Sequence, residues 1–123
     1  MVRRSLGGPA GAQVFVAVAT SGTNKRVITS PDGVTWTPRT SAADNSWWSV
    51  AWGGSVGAQK FVAVATSGNG NRVMTSPDGI TWTSQTSATD KYWNSVAWGG
   101  PVGAQKFVAV ARSGNGNLVM TSG

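Results

Sequence analysis

Four carboxylates and one phenol are nearly all that this chain offers to acid–base or nucleophilic chemistry. Its 123 residues include no His, no Cys and no Glu, and Asp32, Asp44, Asp78 and Asp90 are the only side-chain carboxylates. An ordinary general base or activated nucleophile needs an imidazole, a thiolate or a second carboxylate within hydrogen-bond reach. The four Asp form two pairs, 32 with 78 and 44 with 90, each 46 residues apart. Partners in a pair therefore hold equivalent places in different structural units, whereas a retaining glycosidase wants its two carboxyl groups about 5 Å apart. Tyr92 is the only Tyr. The inventory points to a protein without catalysis, cofactor or metal centre. Asp44, Asp90 and nearby Asn offer oxygen atoms to a hard cation, but the same positions suit the start of a turn, and that role is preferred.

Recognition chemistry is better represented. Amide and guanidinium donors beside aromatic rings hold sugars through hydrogen bonds and stacking. Asn69, Asn71, Arg72, Lys91 and Tyr92 supply that mixture in one stretch, with Asn24 and Arg26 at matching places upstream. Lys25, Asp44, Asn45, Asp90, Asn115 and Asn117 belong to the same set of loops. Trp48 joins the candidates because Asn94 replaces it one repeat later. Each of these residues has a plainer role as a solvated turn residue. Trp47, Trp52, Trp93 and Trp98 are similarly suited to packing between units. The net charge of +6 attracts acidic surfaces in general. The cations are scattered, however, and no RNA- or DNA-binding motif accompanies them, so nucleic acid is a weaker expectation than glycan.

The elements that must position these residues come from a repeat. Gly11-Ala12-Gln13 recurs as Gly57-Ala58-Gln59 and Gly103-Ala104-Gln105, a constant period of 46 residues. Such a period, built of short strands and turns, signals a radially repeated sheet. The fullest copy reads as four strands. Trp93–Trp98 shows the first, ended by Gly99-Gly100. The second, Lys60–Thr66, is apolar on both parities, as expected of a strand covered on both faces. Ser67-Gly68-Asn69-Gly70-Asn71 is a loop rich in residues that tolerate positive φ. Arg72–Thr75 forms the third strand and Ile80–Thr83 the fourth. No stretch has a helical period.

Between the third and fourth strands stands Ser76-Pro77-Asp78-Gly79-Ile80-Thr81-Trp82, matched by Ser30-Pro31-Asp32-Gly33-Val34-Thr35-Trp36. Pro presets the first corner, Asp accepts backbone N–H groups, and Gly supplies the left-handed residue. Trp then carries a large apolar area into a packed layer. This segment resembles the Asp-box of sialidases and many other β-propellers, and the flanking Trp-Asn-Ser-Val-Ala-Trp-Gly and Phe-Val-Ala-Val resemble Asp-box-like repeats of bacterial and phage surface proteins. The resemblance implies propeller blades of four antiparallel strands. It assigns Ser30, Asp32, Gly33, Trp36, Ser76, Asp78, Gly79 and Trp82 to structural turns and suggests an extracellular or virion surface as the setting. Sialidase catalysis would need a Tyr nucleophile paired with Glu, and Glu is absent.

A single domain, 1–123, then holds about three blades: 1–40, 47–86 and 93–123, the last lacking its fourth strand. Met1–Leu6 takes a first-strand position without either Trp. Three blades cannot close a ring, since propellers need about four to eight, and open end blades would expose apolar flanks. Closure by homo-oligomerisation is therefore expected, two chains giving six blades. Arg3-Arg4-Ser5-Leu6 is a candidate strand donor to a neighbour's unpaired edge. The N-terminal Arg pair and the run Val14–Ala19 imitate a signal peptide, but the same run recurs at 61–65 and 107–111, so it is read as structure. No stretch is apolar for long enough to span a bilayer as a helix. The sequence thus leads to a non-enzymatic, self-assembling β-propeller with carbohydrate recognition as its role. A purely structural assembly unit, or a piece of a longer propeller without a ligand, is the alternative.

Overall fold

Runs of Val and Ala in each repeat favour extended backbone, and the described chain contains strands and no helix. The computed structural model describes residues 2–8, 13–113 and 116–122, with residues 2–6 as backbone only. The strands are β1 (Val2–Gly7), β2 (Val14–Ala19), β3 (Val27–Ser30), β4 (Thr37–Arg39), β5 (Trp47–Gly53), β6 (Lys60–Ala65), β7 (Val73–Ser76), β8 (Thr83–Gln85), β9 (Trp93–Gly99), β10 (Lys106–Ala111) and β11 (Val119–Thr121). They build three antiparallel sheets, ordered β1-β2-β3-β4, β5-β6-β7-β8 and β11-β10-β9. The expected all-β class is present, and the third sheet has three strands among the described residues.

The repeat carries through to the register. Phe61 sits opposite Trp52 and Ser76, and Phe107 opposite Trp98, while Phe15 sits opposite Leu6 and Ser30. Two expectations need correcting. The segment proposed as a strand donor, Arg3-Arg4-Ser5-Leu6, pairs residue by residue with β2 of its own sheet, because β2 would otherwise present an open edge. The fourth strand also begins later than expected, at Thr83 rather than Ile80. The reason is that the amides of Ile80 and Thr81 donate to Asp78 Oδ1, at 2.8 and 3.0 Å, instead of entering a ladder.

That turn is the same in both complete copies. Ser76 Oγ accepts from Gly79 N at 2.7 Å and Ser30 Oγ from Gly33 N at 2.7 Å. Gly33 and Gly79 have φ of 79° and 82°, where a side chain would be strained. The amides of Thr35 and Val34 and the Ser30 hydroxyl hold the Asp32 carboxyl below the usual carboxylate range. Burial pushes Asp78 up, but the amides of Thr81 and Ile80 and the Ser76 hydroxyl outweigh it and lower that carboxyl too. Ionised Asp is thus the native form of the turn.

Adjacent sheets bury their faces on each other. At the first junction Val16, Val18 and Val27 join Trp47, Val50, Phe61, Met74 and Trp82 in one cluster. At the second, Val62 and Val64 join Trp93, Val96, Phe107 and Ala109. Trp47 and Trp93 are wholly buried, and their Nε1–H groups donate to the carbonyls of Ala43 and Thr89. Trp52 lies against Gly7 and Trp98 against Gly53 so closely that neither glycine has room for a Cβ. The first strands can therefore approach through backbone, ring on glycine.

Candidate functional site

Antiparallel order puts the loop between the second and third strands at the same end as the connection to the next sheet. The candidate recognition residues gather there, and a repeated polar clip explains how. Arg72 spans the loop: its Nε donates to Gly68 O at 2.8 Å, and its Nη1 to Thr66 O at 2.9 Å and Lys91 O at 2.8 Å. Arg26 makes the matching set, to Gly22 O, Thr20 O and Asn45 O. Three carbonyls in fixed directions suit a planar guanidinium, which donates through a rigid fork.

The carboxylates complete the clip. Asp90 accepts from Gly70 N and from the Ser87 hydroxyl, and lies 3.6 Å from Arg72 Nε. Asp44 accepts from Asn24 N at 2.8 Å and lies 3.8 Å from Arg26 Nε. Asn24 takes φ of 59° where the second copy has Gly70 at 73°, so its place in the sequence is also that of a turn residue. Asn45 adds a bond across the first junction, its Nδ2 donating to Asn71 O at 2.9 Å and to Asn71 Oδ1. Arg26, Arg72, Asn24 and Asn71 are thereby tied into the scaffold, and Asn69 is exposed at the loop tip.

The second junction differs. Lys91 and Tyr92 stand where the first junction has Asn45 and Ser46. Tyr92 is 49% exposed, enough to present a ring face to solvent. A cleft of about 250 Å3 opens here, lined by Arg72, Asp90, Lys91, Tyr92 and Ser113. Arg112 covers one side: its Cζ lies 5.5 Å from the ring centroid of Trp48 and 5.5 Å from that of Tyr92. Arg72 Cζ stands 6.0 Å from the Tyr92 ring. Arg112, between two rings, and Arg72, at one, gain from the ring quadrupoles.

Of the eight sequence candidates, Arg72, Lys91, Tyr92 and Trp48 thus come together at the second junction. Asn24 and Arg26 belong to the first, and Asn71 faces it through Asn45. Sequence reasoning missed Arg112 and Ser113. The signal for Arg112 was present: it replaces the Thr20 and Thr66 of the earlier copies. Asn117 lies in the third loop with φ of 50°, and Asn115 lies outside the described residues. Among the described residues, no three acidic side chains cluster. No helix there is long and apolar enough to cross a membrane. No family model, no curated protein and no solved structure matches the chain.

Proposed function

We propose that this chain is a non-catalytic sector of an Asp-box β-propeller that closes its ring head to tail with copies of itself. One observation carries the proposal: equivalent apolar residues are covered or bare according to whether another sheet follows. Val16, Val18 and Val27 of the first sheet are 0%, 1% and 0% exposed beneath the second. Their counterparts in the third sheet, Val108, Val110 and Val119, are 36%, 42% and 58% exposed. At the other end Phe15, Ile28 and Trp36 are half-buried, whereas Phe61, Met74 and Trp82, which hold the same positions in the second sheet, are buried. The two bare faces are the two halves of the internal junction. A second copy satisfies both by repeating a contact the chain already makes, which is the head-to-tail geometry that closes rings. Two chains of three sheets give six blades.

Native mass spectrometry tests this. The intact chain is expected at twice 12.6 kDa, and Val108→Asp is expected to return it to the single-chain mass by placing a charge in the joint. A folded chain of single mass at micromolar concentration would end the proposal.

A carbohydrate-recognition role for the loop end is the second reading, favoured by the exposed Tyr92 ring beside Lys91, Ser113 and the Trp48–Arg112 stack. The commitment of Arg26 and Arg72 to backbone carbonyls favours the alternative, a unit whose only partner is itself. Glycan-array binding abolished by Tyr92→Ala supports the first. Absence of binding across neutral and acidic glycans, with the oligomer intact, leaves the second. Steeply salt-dependent retention of an oligonucleotide would instead point to nucleic acid.

A further inference from the structure

We infer, resting on the carbohydrate reading of the loop end, that the cleft at the second junction is a seat for a tetrahedral anion, the sulfate or phosphate monoester of a sugar, held between Lys91 and Arg112. The ligand class narrows from sugars in general to esters of this kind. The seat lies between two described sheets and is built from side chains that the first junction lacks.

Charge is divided unevenly between the two ends of the sheets. At the end that carries the Ser-Pro-Asp-Gly turns, Lys60 and Lys106 are matched by Asp32 and Asp78, and both carboxylates already accept turn amides. Strand direction puts Lys25, Arg26, Arg39, Arg72, Lys91 and Arg112 at the loop end, against Asp44 and Asp90 alone. Outside β1, the excess of positive charge therefore gathers at one end, where it draws in anions.

Within that end, the donors without a partner meet at the second junction. Arg72 is committed to three carbonyls, and Asp90 to Gly70 N, the Ser87 hydroxyl and the Arg72 guanidinium. The side chains of Lys91, Tyr92, Arg112 and Ser113 make no hydrogen bond or ion pair among the described residues. Arg112 is positioned through the rings of Trp48 and Tyr92, each 5.5 Å away, so its N–H groups keep their capacity for an acceptor from outside. Two cations and two hydroxyls, on segments that meet across the junction, suit an anion with oxygens in several directions better than a planar carboxylate. The cleft of about 250 Å3 falls just below the roughly 300–1,000 Å3 of pockets that enclose drug-sized ligands, which is room for one sugar and its ester.

The first junction is the internal control. Asn45, Ser46 and Thr66 stand there in place of Lys91, Tyr92 and Arg112. Ser46 N donates to Ser67 Oγ at 2.8 Å, Ser46 Oγ to Thr20 O at 3.3 Å, and Asn45 Nδ2 to Asn71 O at 2.9 Å. Those three positions are uncharged, and the polar groups of Asn45 and Ser46 are used within the junction. Residues 57–77 and 103–123 differ at only three of 21 aligned positions, and one of the three puts Arg112 in place of Thr66. In so uniform a repeat, the new cation falls beside the cleft that Lys91 and Tyr92 line.

Galactose bearing a sulfate or a phosphate on its primary hydroxyl, titrated into the isotope-labelled intact chain and followed by backbone and Arg side-chain NMR shifts, tests the seat. Saturable shifts centred on Lys91, Tyr92, Arg112 and Ser113 are expected. Affinity for either ester should exceed that for galactose, inorganic sulfate or inorganic phosphate at least about tenfold, the usual scale of a hydrogen bond to a charged group. Arg112→Gln and Lys91→Gln should each weaken ester binding about tenfold. Arg112→Lys should recover part of that loss, and Lys106→Gln, at the other end, should change nothing. Esters that bind no better than galactose, or equally well to Arg112→Gln and Lys91→Gln, would overturn the seat. Free sulfate or phosphate binding as tightly as the esters would do the same, as would glucuronic acid. A dinucleotide that binds these residues more tightly than either ester would also overturn it and assign the cleft to nucleic acid. Neutral sugars whose binding is lost in Tyr92→Ala, with no gain from an ester group, would overturn this inference and leave the carbohydrate reading standing. Absence of binding by every sugar would end both.

Discussion

The two internal junctions are made from the same repeat, yet one is full and the other hollow. At the first, Trp82 closes the layer between Val16 and Phe61, and Asn45 ties the loop end to Asn71. At the second, about 380 Å3 of space stands open among the described residues, and Lys91 and Tyr92 stand in place of Asn45 and Ser46. The strand that follows the Ser-Pro-Asp-Gly turn thus serves the joint more than its own sheet. Its turn presses on β2 of the sheet before it, so its value depends on a neighbour. Trp36 shows the same from the other side: in a closely similar sequence context, with no sheet packed ahead of its own among the described residues, it is only half-buried.

The comparison is most sharply broken at these two residues. Trp82→Ala should cost about 3–5 kcal/mol, the usual range for truncating a buried Trp. Trp36→Ala should cost less than about half of that, because much of its surface is already wet. Urea denaturation of both variants measures the difference, and equal costs would mean that Trp82 owes nothing to the first sheet. Next in size is the clip. Arg72→Ala should cost about 2 kcal/mol, since it leaves three carbonyls without their charged donor. The side chain is only 13% exposed, so screening by solvent removes little. Arg72→Lys should recover only part of the loss, as an ammonium cannot reach the three acceptors in the guanidinium's directions; full recovery in the same denaturation assay would mean that charge alone suffices.

The smallest expected effect is on acid stability. Asp32 and Asp78 have their carboxyls lowered in the fold from an ordinary value of 3.8. A lowered carboxyl stabilises the fold fully above its unfolded value, and that contribution is lost as pH falls below it and through the folded value. The protein should therefore weaken progressively below about pH 4. In Asp78→Asn, thermal unfolding followed from pH 5 to 2 should show a shallower decline, because the side chain keeps an acceptor oxygen but no longer takes up a proton. An unchanged slope would place the acid sensitivity elsewhere.

Much of the fold was legible because the information is local and repeated. Ser-Pro-Asp-Gly encodes its own turn, since every bond that defines it lies within three residues. The run Phe61–Ala65, apolar on both parities, announced a strand covered on both faces, and all five residues are buried. The candidate site was less legible. Arg26 and Arg72 looked like ligand donors until their partners appeared, carbonyls up to 19 residues away that no spacing rule connects to them. Leu118 stands at the third Arg position, a hint that this Arg accompanies a connecting loop. Arg112 was overlooked because a lone substitution says nothing of direction. Only folding places it 5.5 Å from rings contributed by two other segments.

By itself the sequence determined the strands, their turns, their number and the poverty of acid–base groups, all of which follow from residue type, alternation and the 46-residue period. Tertiary structure alone decided which identical residues are covered, which loops are clipped and where the joint is hollow. The cause is physical: burial belongs to pairs of surfaces, and a repeated sequence cannot say whether a second surface is there to meet the first.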